Sequence, residues 1–250
     1  MGKAKQNELL SEDVPLMEHL TVLRTMLIRC FAALVLAYPI GYLLSPYGID
    51  FLVRWSLPPE IGSLHYFTPM EVFWCRLKFG FLLAFVLSLP WTALQFWRFL
   101  LPALYRAERL ALRCWIGASV VLFLAGAAFC IGLILPLLMR FSAGFATEGL
   151  VPVLGFSAFL ELAGWLTLAF GIMFQAPIAV LIAVQFGLVT TASLRHLRPY
   201  ILVGILTVSA LLTPPDVLSQ ILLTLPTWLL FETGLFWAGR IEKKRISRDE

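Results

Sequence analysis

The chain has 250 residues, is 60% hydrophobic and 14% charged, and carries a formal net charge of +4 with a mean hydropathy of +0.88. Soluble domains are nearer half apolar and a quarter charged, and uncharged runs such as residues 114–139 exceed the ~20 residues that cross a bilayer core. A soluble fold is excluded, nothing points to nucleic acid, and the chain reads as an all-α integral membrane protein.

Residues 1–17 form a polar tail with Lys3, Lys5, Glu8, Glu12 and Asp13, unlike a cleaved signal peptide. Pro15 opens an amphipathic lead-in, LMEHLTVLR, with Leu16, Leu20 and Leu23 at helical spacing. A first span is expected over residues 28–44, kinked at Pro39. Residues 45–77 follow as a loop rich in proline, glycine and aromatics, with residues 64–76 expected to be a short interfacial helix. The second span covers residues 78–97 with Pro90 inside it, and the loop at 98–113 leads to a third span at 114–139. After a Gly/Ser/Thr-rich connection at 140–155, the fourth span runs over 156–188, with Glu161 near its start and Gln175 near its middle. A basic link at 189–198 precedes a last apolar block, broken at Thr213-Pro214-Pro215-Asp216. Its first arm, residues 200–212, reaches only ~20 Å at 1.5 Å per residue, short of a ~30 Å core. The block is expected to form a hairpin of two short helices, with a cytoplasmic tail at 239–250.

Six spans put alternate loops on opposite sides. Of the 19 lysines and arginines, all but Arg54, Arg76, Lys78 and Arg140 then fall on one side. The positive-inside rule makes that side cytoplasmic, with both termini.

The loop at 96–113 is the most charged stretch between apolar runs: Arg98, Arg106, Arg109 and Arg113 surround the single carboxylate Glu108, among Phe96, Trp97, Phe99 and Tyr105. That carboxylate is either neutralised by its neighbours or a site for an incoming cation. His19, His65 and His196 lie outside the spans and have no zinc-protease spacing. No nucleophile elbow or phosphate-cradling glycine loop occurs, so an enzyme is not expected, nor a metal or other cofactor. Cys30, Cys75, Cys114 and Cys130 are isolated and read as small buried hydrophobes.

Polar side chains within apolar segments are costly and mark sites or contacts; here they are Glu161, Gln175, Gln185, Asp216, Gln220 and Glu232. Glu161 reads as a headgroup-level residue, Glu232 as that or a contact, and Asp216 as a cap of the final helix. Gln175 cannot snorkel, so it must hydrogen-bond either to a partner's membrane helix or within its own chain, as at the carbonyl freed by Pro177.

EHLTVLR at 18–24, FWRFLLPALYRAER at 96–109, FGIMFQAP at 170–177, RPYILVG at 198–204 and LLTPPDVLSQ at 211–220 together resemble TatC, the signal-receptor subunit of the twin-arginine protein translocase. The resemblance covers nearly the whole chain. It implies a glove-shaped six-span fold in a bacterial inner membrane, with a short final helix pair. It also implies a receptor that binds twin-arginine signal peptides of folded cargo and recruits TatA- and TatB-like single-span subunits for export driven by the proton-motive force. A homo-oligomer in the assembled receptor complex and contact with membrane lipids belong to the same expectation. Glu108 and Phe99 are implied as the signal-binding patch, with Glu18, Arg24 and Arg109 beside them. Gln175, Asp216, Gln220 and Glu232 are the candidate intramembrane contacts. Two positions depart from the family pattern: Val22 and Gln175 stand where glutamate is usual. Glu18, one helical turn before Val22, is placed to substitute for the first.

The rival reading is a small secondary transporter, drawn from the intramembrane polar groups and the broken final hairpin. Similarity between the chain halves would favour it, and none is seen. An intramembrane enzyme lacks a nucleophile–base or metal set.

Overall fold

A computed structural model describes residues 16–59, 64–100, 109–144, 153–185, 187–212 and 217–249. Those residues are helical apart from short connections and one isolated bridge between His65 and Gly155. The helices are α1 (Leu16–Ser56), α2 (Glu71–Leu100), α3 (Arg109–Phe129), α4 (Leu135–Ala143), α5 (Phe156–Met173), α6 (Ala176–Gln185), α7 (Thr191–His196), α8 (Arg198–Leu212) and α9 (Val217–Asp249). Among the described residues, five stretches are long and apolar enough to cross a membrane: Leu20–Ser56, Glu71–Phe99, Trp115–Ala143, Phe156–Gln185 and Val217–Lys243. Arg198–Leu212 is a shorter apolar helix. Helices carry the fold because hydrocarbon offers no partner for a free backbone N–H or C=O.

Three boundaries differ from expectation. The first helix does not stop near Leu44 but continues through Pro46 to Ser56. Pro46 has no N–H for the Tyr42 carbonyl, and the Ser45 hydroxyl donates to that oxygen instead at 2.8 Å. No separate interfacial helix occupies residues 64–76: α2 begins at Glu71 and runs unbroken through Arg76 into the span. The Glu71 carboxylate accepts from the N–H groups of Phe67 (2.7 Å), Thr68 (3.3 Å) and Ser157 (2.9 Å), tying the loop to the start of α5. Of the final pair, α8 is short at 15 residues, whereas α9 has 33 and carries its apolar block on into the basic tail.

Two spans are interrupted. A π-turn at Cys130–Ile134 joins α3 to α4 just before Pro136, which cannot donate to the carbonyl behind it. A turn at Phe174–Gln175 separates α5 from α6 ahead of Pro177.

The main core joins the middle of the chain, with Ile134, Leu135, Phe159, Leu166 and Phe170 all buried, and reaches α9 through Leu223. A second cluster packs α6 on α9 through Val180, Val184, Phe231 and Leu235. A third joins Trp97 of α2 to Ile178 and Ile182 of α6. The α1–α2 crossing is close because both helices place glycine there. A Cβ on Gly41 would lie 2.4 Å from the Gly80 carbonyl oxygen and 2.7 Å from the Ala84 nitrogen. Small residues that let backbones approach are the usual basis of helix packing in membranes.

Candidate functional site

The start of α1 and the end of α2 meet at one end of the bundle, around a hollow of about 290 Å³ lined by Thr21, Val22, Thr25, Met26, Arg29, Gln95, Arg98 and Phe99. Residues 66 to 78 positions apart in sequence therefore share one surface. Gln95 is buried, and neither Arg29 nor Arg98 forms an ion pair among the described residues.

Met26 also lines a larger apolar groove of about 740 Å³, whose walls come from α1, α2, α3, α5 and α6 and include Phe85, Trp97, Phe123, Ile172, Gln175 and Ile178. Phe85 and Ile172 in turn belong to a third hollow of about 720 Å³, with Lys78 and Glu161 at its far end. The mouth and the groove thus share Met26, and the groove and the third hollow share Phe85 and Ile172. Lys78 Nζ donates to Glu161 Oε1 at 2.5 Å, with both side chains more than half exposed. Such an exposed pair contributes only about 0–1 kcal/mol.

Gln175 faces the groove at the α5–α6 turn. The Ser119 hydroxyl donates to its Oε1 at 2.7 Å, and its Nε2 donates to the Ser119 carbonyl at 3.0 Å and the Gly171 carbonyl at 3.5 Å. Of the two alternatives for Gln175, a partner's membrane helix or its own chain, the structure shows the second, and the expected partner contact is corrected. The amide bonds inside the chain, to Ser119 of α3 and Gly171 of α5, and not to the carbonyl that Pro177 frees.

The other expected contacts are also engaged internally. Gln220 Nε2 donates to the Leu206 carbonyl at 3.2 Å, pinning α9 to α8. Arg198 Nη2 donates to Glu232 Oε2 at 2.6 Å. Thr191 donates to Glu242 through both its N–H and its hydroxyl, fastening α7 to the tail of α9. Gln175, Gln220 and Glu232 thus make separate contacts and do not gather into one cluster.

Of the signal-binding candidates, Phe99 is half-buried in the mouth and Arg24 is exposed on α1. Glu18 and Arg109 lie on α1 and α3, with side chains outside the described part, and Glu108 and Asp216 lie outside the described residues. Sequence reasoning passed over Arg29, Gln95, Arg98, Trp97 and Ser119 as site residues. Gln95 carried a usable signal, since an amide within an apolar run invites the same question as Gln175. Trp97 and Arg98 stood out only as neighbours of Glu108 in the 96–113 stretch, and Ser119 carried no signal. Among the described residues no group of three or more His, Cys, Asp or Glu side chains could hold a metal ion.

A family model described as Sec-independent protein translocase protein (TatC) matches residues 18–226. The TatC protein of Azotobacter chroococcum is 35% identical over 238 residues, covering 93% of this chain and 92% of that one. The TatC protein of Escherichia coli K12 is 34% identical over 246 residues, covering 94% and 92%. A crystal structure titled as the twin arginine translocase receptor TatC superposes with a TM-score of 0.80 at 31% identity, covering 90% of this chain and all of that one. The chain belongs to the TatC family of Sec-independent protein translocase components.

Proposed function

We propose that this protein is the receptor and scaffold core of a twin-arginine export system. It binds the signal peptides of folded cargo at the cytoplasmic face of a bacterial inner membrane and gathers TatA- and TatB-like single-span subunits for passage driven by the proton-motive force. The observation that carries the reading is the mouth itself: the 18–24 and 96–109 segments, far apart in sequence, supply Val22 and Phe99 to one hollow. In this reading Glu108 receives the signal's arginines, because a planar guanidinium offers a carboxylate two parallel N–H donors where lysine offers one point charge. Glu18, one turn before Val22, supplies the second carboxylate, with Phe99, Arg24 and Arg109 at the rim. The apolar groove beyond Met26 is suited to the hydrophobic part of a signal.

Partner docking fits the α8–α9 pair. The exposed side chains Ile221, Leu225 and Leu229 recur every four residues on α9, and Tyr200, Val203 and Leu211 are exposed on α8. A stripe of that period is what a single membrane helix lies against. Asp216, Gln220, Glu232 and Gln175 then serve partners indirectly, by holding the surfaces in place.

Site-specific crosslinking to a twin-arginine signal peptide tests the receptor role. Glu108→Lys should abolish crosslinking while the protein still inserts, whereas Glu18→Ala should weaken it. Removing an ordinary exposed loop carboxylate would change stability by only about 0–1 kcal/mol. Unchanged crosslinking in Glu108→Lys would return Glu108 to that ordinary role.

A further inference from the structure

We propose that the mouth and groove form a binding site for an anionic phospholipid, independently of whether a signal peptide also enters there. The mouth is lined by Arg29 and Arg98, which pair with no acid among the described residues, and by the buried amide of Gln95. Immediately inside, Trp97 lines the apolar groove at 6% exposure, and its indole N–H has no hydrogen-bond partner among the described residues. An unpaired donor in so dry a place is costly, and a buried indole usually finds an acceptor.

These features follow the chemistry of one molecule in order. A phosphate takes the two guanidinium groups, which favour phosphate through bidentate geometry. A glycerol ester carbonyl, just below the phosphate, accepts from the Trp97 N–H. Acyl chains fill the apolar length toward Phe85 and Ile172. The depth also fits: from Arg98 back to Phe85 on α2 is about 20 Å at 1.5 Å per residue. One leaflet of the hydrocarbon core is ~15 Å deep. Basic pockets between membrane helices are a recurring setting for anionic head groups.

Native mass spectrometry of the delipidated full chain tests this with phosphatidylglycerol, phosphatidylcholine and glycerol 3-phosphate as probes. Phosphatidylglycerol should bind roughly tenfold more tightly than phosphatidylcholine, because both carry the phosphate but the choline ammonium is repelled by Arg29 and Arg98. Arg29→Gln with Arg98→Gln should remove that preference. Trp97→Phe keeps the ring but loses the donor, and should weaken both lipids several-fold, because both carry the ester carbonyl. A phosphatidylglycerol with a photoreactive acyl chain should label the wild-type protein near Phe85 and Ile172, a readout that does not depend on any variant folding. Equal affinity for the two lipids in the wild type would overturn the proposal. So would labelling confined to the outer faces, a preference that survives the double arginine variant, or full competition by glycerol 3-phosphate, which would mark a free-anion site. Trp97-dependent binding of an apolar peptide with no lipid binding would make the groove a peptide site instead.

Discussion

Gln175 shows how one amide can be tied into a membrane protein without a charge. Its two contacts to Ser119 close a ring between α3 and the α5–α6 turn, at the point where Pro177 interrupts the backbone ladder. Polar contacts between membrane helices average about 0.6 kcal/mol and reach ~1.7. Gln175→Leu should lower the stability of the purified subunit by about that amount, and Ser119→Ala should lose part of the same term. A double-mutant cycle measures the coupling, and strict additivity would mean that the pair contributes nothing. The long-range pairings at this scale were not legible in the sequence. Ser119 lies 56 positions from Gln175, and Lys78 lies 83 from Glu161. A pattern of apolar and polar letters records that a polar group needs a partner, not which residue supplies it.

At the scale of elements, apolar runs announced the helices well and their ends poorly. The reason is local chemistry that pattern does not weigh: a serine hydroxyl serving the carbonyl ahead of Pro46, and a glutamate at the first turn of α2 serving three N–H groups. The fourth span was expected as one run over 156–188, although Gln175-Ala176-Pro177 carries both a polar group and a helix breaker at its break. The α1–α2 crossing was not legible, though it sets how the two helices approach one another at the mouth. Gly41→Ala places a methyl 2.4 Å from the Gly80 carbonyl oxygen, a backbone atom that cannot rotate away. We expect a loss of about 1–3 kcal/mol, the usual range for overpacking, and weaker signal crosslinking although Gly41 lies ~28 Å from Val22 along the helix. Gly204, which has open space around it, is the control: Gly204→Ala in a helix interior should not lower thermal stability, and should leave crosslinking unchanged. Equal behaviour of the two variants would contradict the close crossing.

For the whole molecule, the contacts sort the helix ends into two groups. The mouth, the Thr191–Glu242 contact and the Arg198–Glu232 pair involve segments that the charge count puts in or beside the cytoplasm. The His65–Gly155 bridge and the Glu71–Ser157 contact join the two opposite loops. Reporter fusions at Gly62, Gly149 and the C-terminus should therefore read outside, outside and inside. A C-terminus outside would reverse the orientation and remove the mouth from the face where cargo is made.

The central claim is that the 18–24 and 96–109 segments together form a receptor for paired arginines. Co-purification of the full chain with a twin-arginine signal peptide, measured against the same peptide carrying two lysines, tests it most directly. The account predicts that the arginine peptide is retained and the lysine peptide is lost, since only guanidinium matches a carboxylate bidentately. Equal retention of the two peptides, or of neither, would contradict it.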